Sequence, residues 1–169
     1  CSELYCFNFD KREYLSGKRY PGCILCGVRD KAEGLLNLTV HENEFHIVSV
    51  NLYPYNPGHL IIFPRRHLTD LRRLSADERV SLDETIDLCL SMLDTTHAPA
   101  GYNIGMNMGL QSGASIEHIH YHVIPRYPRE IGISELLAGK RVLVEDPRVT
   151  HERLVAAFSK VPPQEESSL

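Results

Sequence analysis

The stretch Ser115-Ile116-Glu117-His118-Ile119-His120-Tyr121-His122-Val123-Ile124-Pro125-Arg126 places three histidines at alternate positions. The residues between them are apolar or aromatic, and strict alternation of this kind predicts a half-buried β-strand. Side chains of a strand repeat every second residue, so the histidines share one face, with about 6.6 Å between neighbours. The opposite face, formed by Ile119, Tyr121 and Val123, is expected to enter the core.

The residues alone leave three interpretations of this run open. The imidazoles are separately satisfied surface groups, or they chelate a metal as alternate strand residues can, or they form a catalytic site. A plain strand has no use for three adjacent imidazoles, whose charged forms would need compensation for desolvation and repulsion. Histidine has the unperturbed pKa nearest neutrality and can serve as nucleophile, acid or base. The pattern therefore favours catalysis.

The composition bounds the class of protein. The chain has 169 residues, 43% of them hydrophobic and 24% charged, which is typical of one soluble domain. Its net charge of -4 argues against broad nucleic-acid binding, and no apolar run approaches the ~20 residues needed to span a bilayer. Residues 1–20 lack the apolar core of a signal peptide, and the five cysteines suit a metal clip better than disulfides. We therefore expect a cytoplasmic protein that binds neither nucleic acid nor membranes.

Four regions follow from the order of the motifs. We expect an N-terminal arm over residues 1–20, a domain core with a cysteine knuckle over 21–127, an extension packed on the core over 128–160 and a disordered tail over 161–169. The tail combines two prolines with glutamate and serine, a composition that cannot bury enough apolar surface to fold.

The core is expected to be rich in strands. The first two strands would be joined by a turn at His41-Glu42-Asn43, and two prolines and a glycine make residues 51–58 a rigid loop. Residues 109–114 are expected to be a flexible loop. The predicted strands are Gly34–Val40, Glu44–Val50, His59–Phe63, Tyr102–Met108, the histidine run and Arg141–Glu145; short helices are predicted at Lys11–Leu15, Ile133–Ala138 and Thr150–Lys160.

One long helix crosses this pattern. Ser75-Ala76-Asp77-Glu78 is a capping box that predicts its first turn. Apolar residues at helical spacing then trace one buried face to about Thr96; they are Leu82, Ile86, Cys89 and Leu93. Hairpin-connected strands with one crossing helix predict an α+β fold.

The histidine run resembles the motif of the histidine-triad (HIT) family, in which three histidines alternate with apolar residues. The resemblance extends over residues 20 to 127, because further motif residues fall in the family's order; they are Asn51, Pro57-Gly58-His59, Pro64-Arg65-Arg66-His67, Asn107 and Ser115. It implies an α+β, HIT-like fold with a five-stranded antiparallel sheet, one long helix and, here, a C-terminal helical tail. It also implies a homodimer.

The same resemblance implies roles for the site residues. The middle histidine, His120, would attack the α-phosphorus of a nucleotide and hold it as a phosphoramidate, while a backbone carbonyl near the Pro57-Gly58-His59 loop fixes its tautomer. His122 would hydrogen-bond the phosphate oxygens or the bridging oxygen, and His59 would shape the site. The remaining residues would contact substrate. Ser115 would reach the bridging or leaving-group oxygen, Asn107 would position the phosphate and Asn51 would bind ribose. Gln111 and Gly113 belong to the loop above the phosphates and would also bind substrate. Alternatively, the asparagines cap turns and Ser115 is a loop hydroxyl.

The pair Cys23-x-x-Cys26 fits either zinc or a redox dithiol, although nothing around it resembles a thioredoxin fold. By resemblance to family branches with a Cys2His2 site, His67 and His118 complete the ligand set. A closed tetrad implies structural zinc. Two reduced cysteines in a packed turn are the alternative.

The family resemblance favours cleavage of dinucleoside polyphosphates of the diadenosine tetraphosphate type, with water or phosphate as acceptor. Tyr53-Pro54-Tyr55-Asn56 before the Pro-Gly-His loop and Pro125-Arg126-Tyr127 after the triad resemble that branch. Arg65, Arg66 and Arg126 are candidates to meet extra phosphates. A nucleoside phosphoramidase and a non-enzymatic nucleotide sensor are the alternatives; a magnesium phosphatase would need clustered carboxylates, and only Glu117 is near.

Overall fold

Five strands form one antiparallel sheet in the part of the chain that the computed structural model describes, residues 20–128 and 145–160. The strand order is β1-β2-β3-β5-β4, so β5 is inserted between β3 and the edge strand β4. The strands are β1 Thr39–Glu42, β2 His46–Val50, β3 Leu60–Pro64, β4 Gly101–Met106 and β5 Tyr121–Arg126. The predicted α+β fold is confirmed.

Three α-helices accompany the sheet within the described residues: α1 Ile24–Arg29, α2 Ala76–His97 and α3 Pro147–Phe158. The capping box predicted for α2 is present, because the Glu78 amide donates to Ser75 Oγ and the Ser75 amide donates to the Glu78 carboxylate. None of these helices combines the length and apolar character needed to cross a bilayer.

The two faces of the sheet carry different clusters of buried side chains. Its first face packs against α2 and α3, and the larger core there includes Val48, Leu60, Ile62, Ile119, Val123, Cys89, Leu93, Leu154 and Phe158. The second face carries a smaller cluster of Leu25, Ile47, Ile61 and Phe63. Alternate residues of β3 belong to different clusters, which explains why this strand is an unbroken apolar run.

The pairing of β5 decides which face carries the histidines. Ile61 is the cross-strand partner of His122, and Leu60 is the partner of Val123. Cross-strand partners share a face, so His122 lies on the second face of the sheet while Val123 lies in the helix-covered core. The predicted separation of the alternating residues between two faces is correct.

The predicted histidine strand is wrong at its beginning. Residues 115–120 are bends and irregular backbone, and the strand starts at Tyr121. The Ile119 amide donates to the carbonyl of Leu68, in the segment after β3, and not to a neighbouring strand. The alternation persists without regular pairing, because Ile119 still enters the core while His118 and His120 are buried elsewhere.

The predicted turn between the first two strands is also wrong. His41 and Glu42 belong to β1, which begins at Thr39 and not at Gly34. The turn follows at Asn43, whose side-chain oxygen accepts hydrogen bonds from the amides of Phe45 and His46. Such a side-chain cap stabilises a turn at the asparagine itself.

Two further elements differ from those predicted. Helix α3 begins three residues before Thr150, because Asp146 caps it by accepting from the Arg148 amide and Pro147 occupies the first turn. The predicted flexible loop at residues 109–114 contains a short 3-10 helix, Leu110–Ser112.

Several predictions lie outside the described residues. They concern most of the N-terminal arm with the turn Lys11–Leu15, the helix Ile133–Ala138, the strand Arg141–Glu145 apart from Glu145 itself, and the tail 161–169. The domain boundaries therefore stay predictions, although α3 does pack on the core through Leu154 and Phe158.

Candidate active site and metal centre

The buried imidazole of His120 has one nitrogen committed to the backbone. Its Nδ1 lies 2.9 Å from the carbonyl oxygen of His118, and a carbonyl can only accept, so Nδ1 carries the proton. In the neutral ring, Nε2 therefore holds a lone pair. The expectation that the carbonyl belongs to the Pro57-Gly58-His59 loop is wrong, because the irregular backbone before β5 turns the carbonyl of His118 itself toward the ring.

His59 and His122 form a chain of hydrogen bonds beside it. The amide of Tyr55 donates to His59 Nδ1 at 3.0 Å, so this nitrogen accepts and His59 carries its proton on Nε2. His59 Nε2 lies 3.0 Å from His122 Nδ1, which must in turn accept. The neutral His122 then carries its proton on Nε2. His120 and His122 thus have opposite tautomers.

Burial keeps this arrangement neutral. Desolvation lowers the pKa of His59 to about 3, with repulsion from His122 and His120 adding to the effect. Desolvation also lowers the pKa of His122 to about 4, and His120 contributes again. Both rings therefore hold one proton at neutral pH, which is the condition for fixed donor and acceptor nitrogens.

The three rings form one compact group. The ring centroids of His120 and His122 are 4.9 Å apart, and those of His59 and His122 are 5.1 Å apart. Tyr55 stacks on the other side of His59 at 5.3 Å. A lone-pair nitrogen and an N–H donor on adjacent rings can attack an electrophilic centre and stabilise charge on its oxygens.

The predicted substrate-binding residues lie on the loop after β2 and on the connection between β4 and β5. Asn51, directly after β2, caps its own loop, since its side-chain oxygen accepts from the Tyr53 amide at 3.1 Å; its Nδ2 is 3.4 Å from both nitrogens of His59. Asn107 is half-buried after β4, and a Cβ on Gly113 would meet Asn107 Nδ2 at 3.9 Å, so these two adjoin. Gln111 and Ser115 are exposed on the same connection between β4 and β5.

The arginines considered for extra phosphates are engaged with protein groups. Both side chains at the end of β3 form ion pairs, and the one at the end of β5 bonds to β4. The partners are Glu42 and the Asn43 carbonyl for Arg65, Glu78 for Arg66 and Asn103 for Arg126. These bonds brace turns and strand ends, which is an ordinary structural role for such residues.

Four predicted metal ligands converge at the other end of the histidine run. One ligand atom from each of Cys23, Cys26, His67 and His118 lies within 4.8 Å of the others. Three sulfur-to-nitrogen separations are 3.3, 3.5 and 3.6 Å. Zinc bound tetrahedrally at about 2.3 Å to sulfur and about 2.0 Å to nitrogen separates these atoms by about 3.5 Å. The cluster therefore has the donor set and the dimensions of a closed metal site.

His118 is oriented for this cluster by its second nitrogen. Its Nε2 lies 3.0 Å from the Pro64 carbonyl and donates to it, which leaves the Nδ1 lone pair toward the two sulfurs. Burial, together with repulsion from His67, lowers the pKa of His118 to about 4, so the ring is in the neutral form that binds metal. A backbone acceptor on the free nitrogen of a ligand histidine is typical of metal sites.

The groups that sequence analysis missed are backbone atoms. The Tyr55 amide and the carbonyls of His118 and Pro64 select the tautomer of a histidine each, and any residue type provides such atoms. Only the rigidity predicted for residues 51–58 signalled that the first of them is held in place.

Comparison with known proteins agrees with this architecture. Residues 37–129 match the HIT domain. The chain is 31% identical over 126 residues to an AP-4-A phosphorylase of Mycobacterium tuberculosis, a match that covers 74% of this chain and 65% of the relative. It is 28% identical over 88 residues to an asymmetrical bis(5'-nucleosyl)-tetraphosphatase of Schizosaccharomyces pombe, covering 52% of this chain and 48% of that protein. The chain thus spans less than two thirds of these relatives.

Solved structures share the fold. A zinc-bound histidine triad family protein from Mycobacterium smegmatis superposes with a TM-score of 0.66 at 19% identity, covering 82% of this chain and 94% of that chain. A HIT family protein from Bacillus anthracis gives 0.59 at 25% identity, covering 64% and 75%. Because the HIT domain match covers more than half of the sequence and the fold agrees, this chain belongs to the HIT domain family.

Proposed function

We propose that this protein transfers nucleotidyl groups from dinucleoside polyphosphates of the diadenosine tetraphosphate type through a covalent nucleotidyl-His120 intermediate. The observation that carries the proposal is the pair of opposite tautomers: His120 Nε2 has a lone pair, and His122 Nε2 has a proton. A nucleophile beside a fixed N–H donor suits attack on a phosphorus centre whose oxygens gain charge.

In the first step, the His120 Nε2 lone pair forms a bond to the α-phosphorus, and the bond from phosphorus to the bridging oxygen breaks. The leaving nucleoside polyphosphate keeps that electron pair. The His120 ring becomes positively charged and retains its Nδ1 proton on the His118 carbonyl. His122 Nε2–H stabilises the phosphate oxygens by hydrogen bonding, so one difficult displacement becomes two easier ones.

In the second step, an acceptor oxygen bonds to the same phosphorus and the bond to His120 breaks, which restores its lone pair. Water as acceptor gives a nucleoside monophosphate and releases one proton to solvent. Inorganic phosphate gives a nucleoside diphosphate. The mycobacterial relative is named a phosphorylase and the fission-yeast relative a tetraphosphatase, so both acceptors stay open for this chain.

The loop residues are assigned to substrate. Asn51 would contact ribose, Asn107 and Gly113 the transferred phosphate, and Ser115 and Gln111 the leaving group. The supporting observations are two. Asn51 Nδ2 lies 3.4 Å from the His59 ring, and the connection after β4 begins directly after Met106, the cross-strand partner of Tyr121. Asn51 also caps its loop, so its replacement would affect both ribose binding and the conformation of the loop.

We assign structural zinc to Cys23, Cys26, His67 and His118. The donor set, its dimensions and the second-nitrogen bond of His118 support the assignment. A closed tetrad leaves no position for substrate, so the metal would anchor α1 and its knuckle to the segment that precedes His120. Free thiols in this knuckle suit a reducing cytoplasm.

A homodimer is part of the same proposal. Half of the residues of the edge strand β4 are exposed, and Ile104 among them is 45% exposed. A sheet edge of this kind is a template for pairing with a second strand. Sedimentation that gives the mass of two chains would support the dimer.

Product analysis tests the reaction. Diadenosine tetraphosphate is incubated with and without inorganic phosphate, and the products are separated by ion-exchange chromatography. AMP plus ATP in both reactions identifies water as acceptor, and ADP plus ATP only with phosphate identifies a phosphorylase. Binding without any product would contradict the proposal; adenosine phosphoramidate then distinguishes a phosphoramidase from a sensor.

A further inference from the structure

The loop between β2 and β3, residues 51–59, is held by the far end of β5. The buried side-chain amide of Asn56 donates from Nδ2 to the Pro125 carbonyl at 2.6 Å. The hydroxyl of Tyr127 donates to the Pro57 carbonyl at 2.9 Å. Pro125 lies in β5 and Tyr127 directly follows it. Two side-chain bonds therefore join this loop to the strand that carries His122.

Close packing at Gly58 also holds this loop in place. Gly58 has φ +80, and a Cβ there would lie 3.0 Å from Leu93, 3.1 Å from Pro125 and 3.2 Å from His97. The Gly58 backbone thus rests on the end of α2 and on β5, with no room for a side chain. The loop closes through the Asn51 amide, which donates to the His59 carbonyl at 2.9 Å.

The position of this loop matters because of one backbone group. The Tyr55 amide donates to His59 Nδ1 at 3.0 Å, and this bond makes Nδ1 of His59 the acceptor in the chain to His122. Asn51 Nδ2 lies 3.4 Å from both ring nitrogens and so favours neither of them. If that amide moves away, the neutral ring of His59 can carry its proton on either nitrogen. With the proton on Nδ1, His59 Nε2 accepts from His122, and His122 no longer presents an N–H to a substrate.

We propose that Asn56 and Tyr127 are positioning residues for the reaction: they hold the Tyr55 amide on His59 and so fix the tautomer of His122. The kinetic consequence rests on the proposed function, whereas the tautomer consequence does not. Neither side chain is assigned contact with the reacting atoms, so we assign their effect on the reaction to the loop.

The experiment compares Tyr127→Phe with Tyr102→Phe. Tyr102 is a matched control because it lies opposite Pro125 on β4, in the same region as the two clamping bonds, while its hydroxyl donates to Asp94 and to the Leu90 carbonyl and not to the loop. Long-range ¹H–¹⁵N NMR of the histidine rings, at a pH where they are neutral, reads the tautomer directly. Asn56→Ala removes the other side-chain hydrogen bond between β5 and the loop.

In the wild type, we expect His59 and His122 as pure Nε2–H tautomers. In Tyr127→Phe, the ¹⁵N shifts of both rings should move toward the average of two tautomers, and kcat should fall about 3- to 10-fold with KM nearly unchanged. Tyr102→Phe should match the wild type in both measurements.

Unchanged ring shifts in both Tyr127→Phe and Asn56→Ala would overturn the proposal. A mixed tautomer with wild-type kcat would overturn its kinetic part. A wild type that cleaves no phosphorus substrate would contradict the proposed function, and the ring shifts would still decide whether the loop sets the tautomer.

Discussion

His118 and His120 are two residues apart and both buried, yet they use opposite ring nitrogens. His118 donates from Nε2 to the Pro64 carbonyl and leaves Nδ1 to two sulfurs and His67. His120 donates from Nδ1 to the His118 carbonyl and leaves Nε2 free. The backbone carbonyl that each ring finds therefore selects its available nitrogen.

The side chains around the available nitrogen then determine its chemistry. Thiols around His118 make a closed set of soft and imidazole ligands, which suits a structural metal. Neutral imidazoles around His120 leave it unligated beside a donor, which suits a nucleophile. The proposal thus gives one residue type two roles within the same run: His118 is a metal ligand at one end, the metal end, and His120 is a nucleophile at the other, the reactive end.

The largest effect is expected at the reactive end. His120→Asn removes the lone-pair nitrogen, so no phosphoramidate can form, and kcat should fall by at least about 10⁴-fold. Nucleotide affinity should stay within a few-fold of the wild type, measured by calorimetry with a non-cleaved analogue. The control is His151→Asn, which changes a histidine on α3 whose Nε2 donates to the Thr39 carbonyl. Equal turnover in the His120 variant and the wild type would reject His120 as nucleophile.

A second test addresses the metal end. Cys23→Ser opens the tetrad, so zinc content should drop and the free energy of unfolding should fall by about 3 kcal/mol or more, or roughly 6–12 °C in Tm. Cys89→Ala is the matched control, since this buried thiol lies in the helix-covered core and should leave zinc at the wild-type level. Metal loss with unchanged stability and turnover would show that zinc does not support the segment beneath His120.

A third test uses pH. Burial lowers the pKa of His59 to about 3, so the folded state excludes a proton that the unfolded chain binds below its ordinary value near 6.5. Stability from this group is complete above pH 6.5 and is lost as pH falls toward 3. Between pH 7 and 5 the loss from His59 should be about 2 kcal/mol.

Chemical unfolding of the wild type and His59→Gln at several pH values measures this contribution. The wild type should lose stability more steeply on acidification than the variant, because glutamine does not titrate. Parallel pH dependences would mean that His59 is not held neutral by the fold. His118 and His122 should supply the acid sensitivity that the variant retains, since the pKa of each is lowered to about 4.

The faces of the sheet were predictable from sequence because side-chain alternation survives irregular backbone. Ile119, Tyr121 and Val123 all contact the helix-covered core, although only the last two lie in β5. The strand boundary was not predictable, since the Ile119 amide finds its partner at Leu68, about fifty positions earlier in the chain. Helix α2 was predictable because its capping box is local in sequence.

The candidate site was likewise predictable from sequence only in part. The identities of the histidines and cysteines could be proposed from motif order, but the tautomers could not, because carbonyls of His118 and Pro64 and the amide of Tyr55 determine them. Backbone groups carry no residue signature, and only the folded chain shows which ring each one meets.

The smallest effect is expected at Ser115, whose assigned role depends on its position in the chain and not on a contact in the structure. Ser115 is exposed in the bend that precedes the triad, so its hydroxyl is available to the leaving-group oxygen only once substrate is bound. Ser115→Ala should lower kcat/KM about 3- to 10-fold, the cost of one hydrogen bond, and should leave stability unchanged. Ser91→Ala, which removes an exposed hydroxyl on α2, is the control. If both variants cleave at the wild-type rate, Ser115 is a loop hydroxyl that takes no part in the reaction.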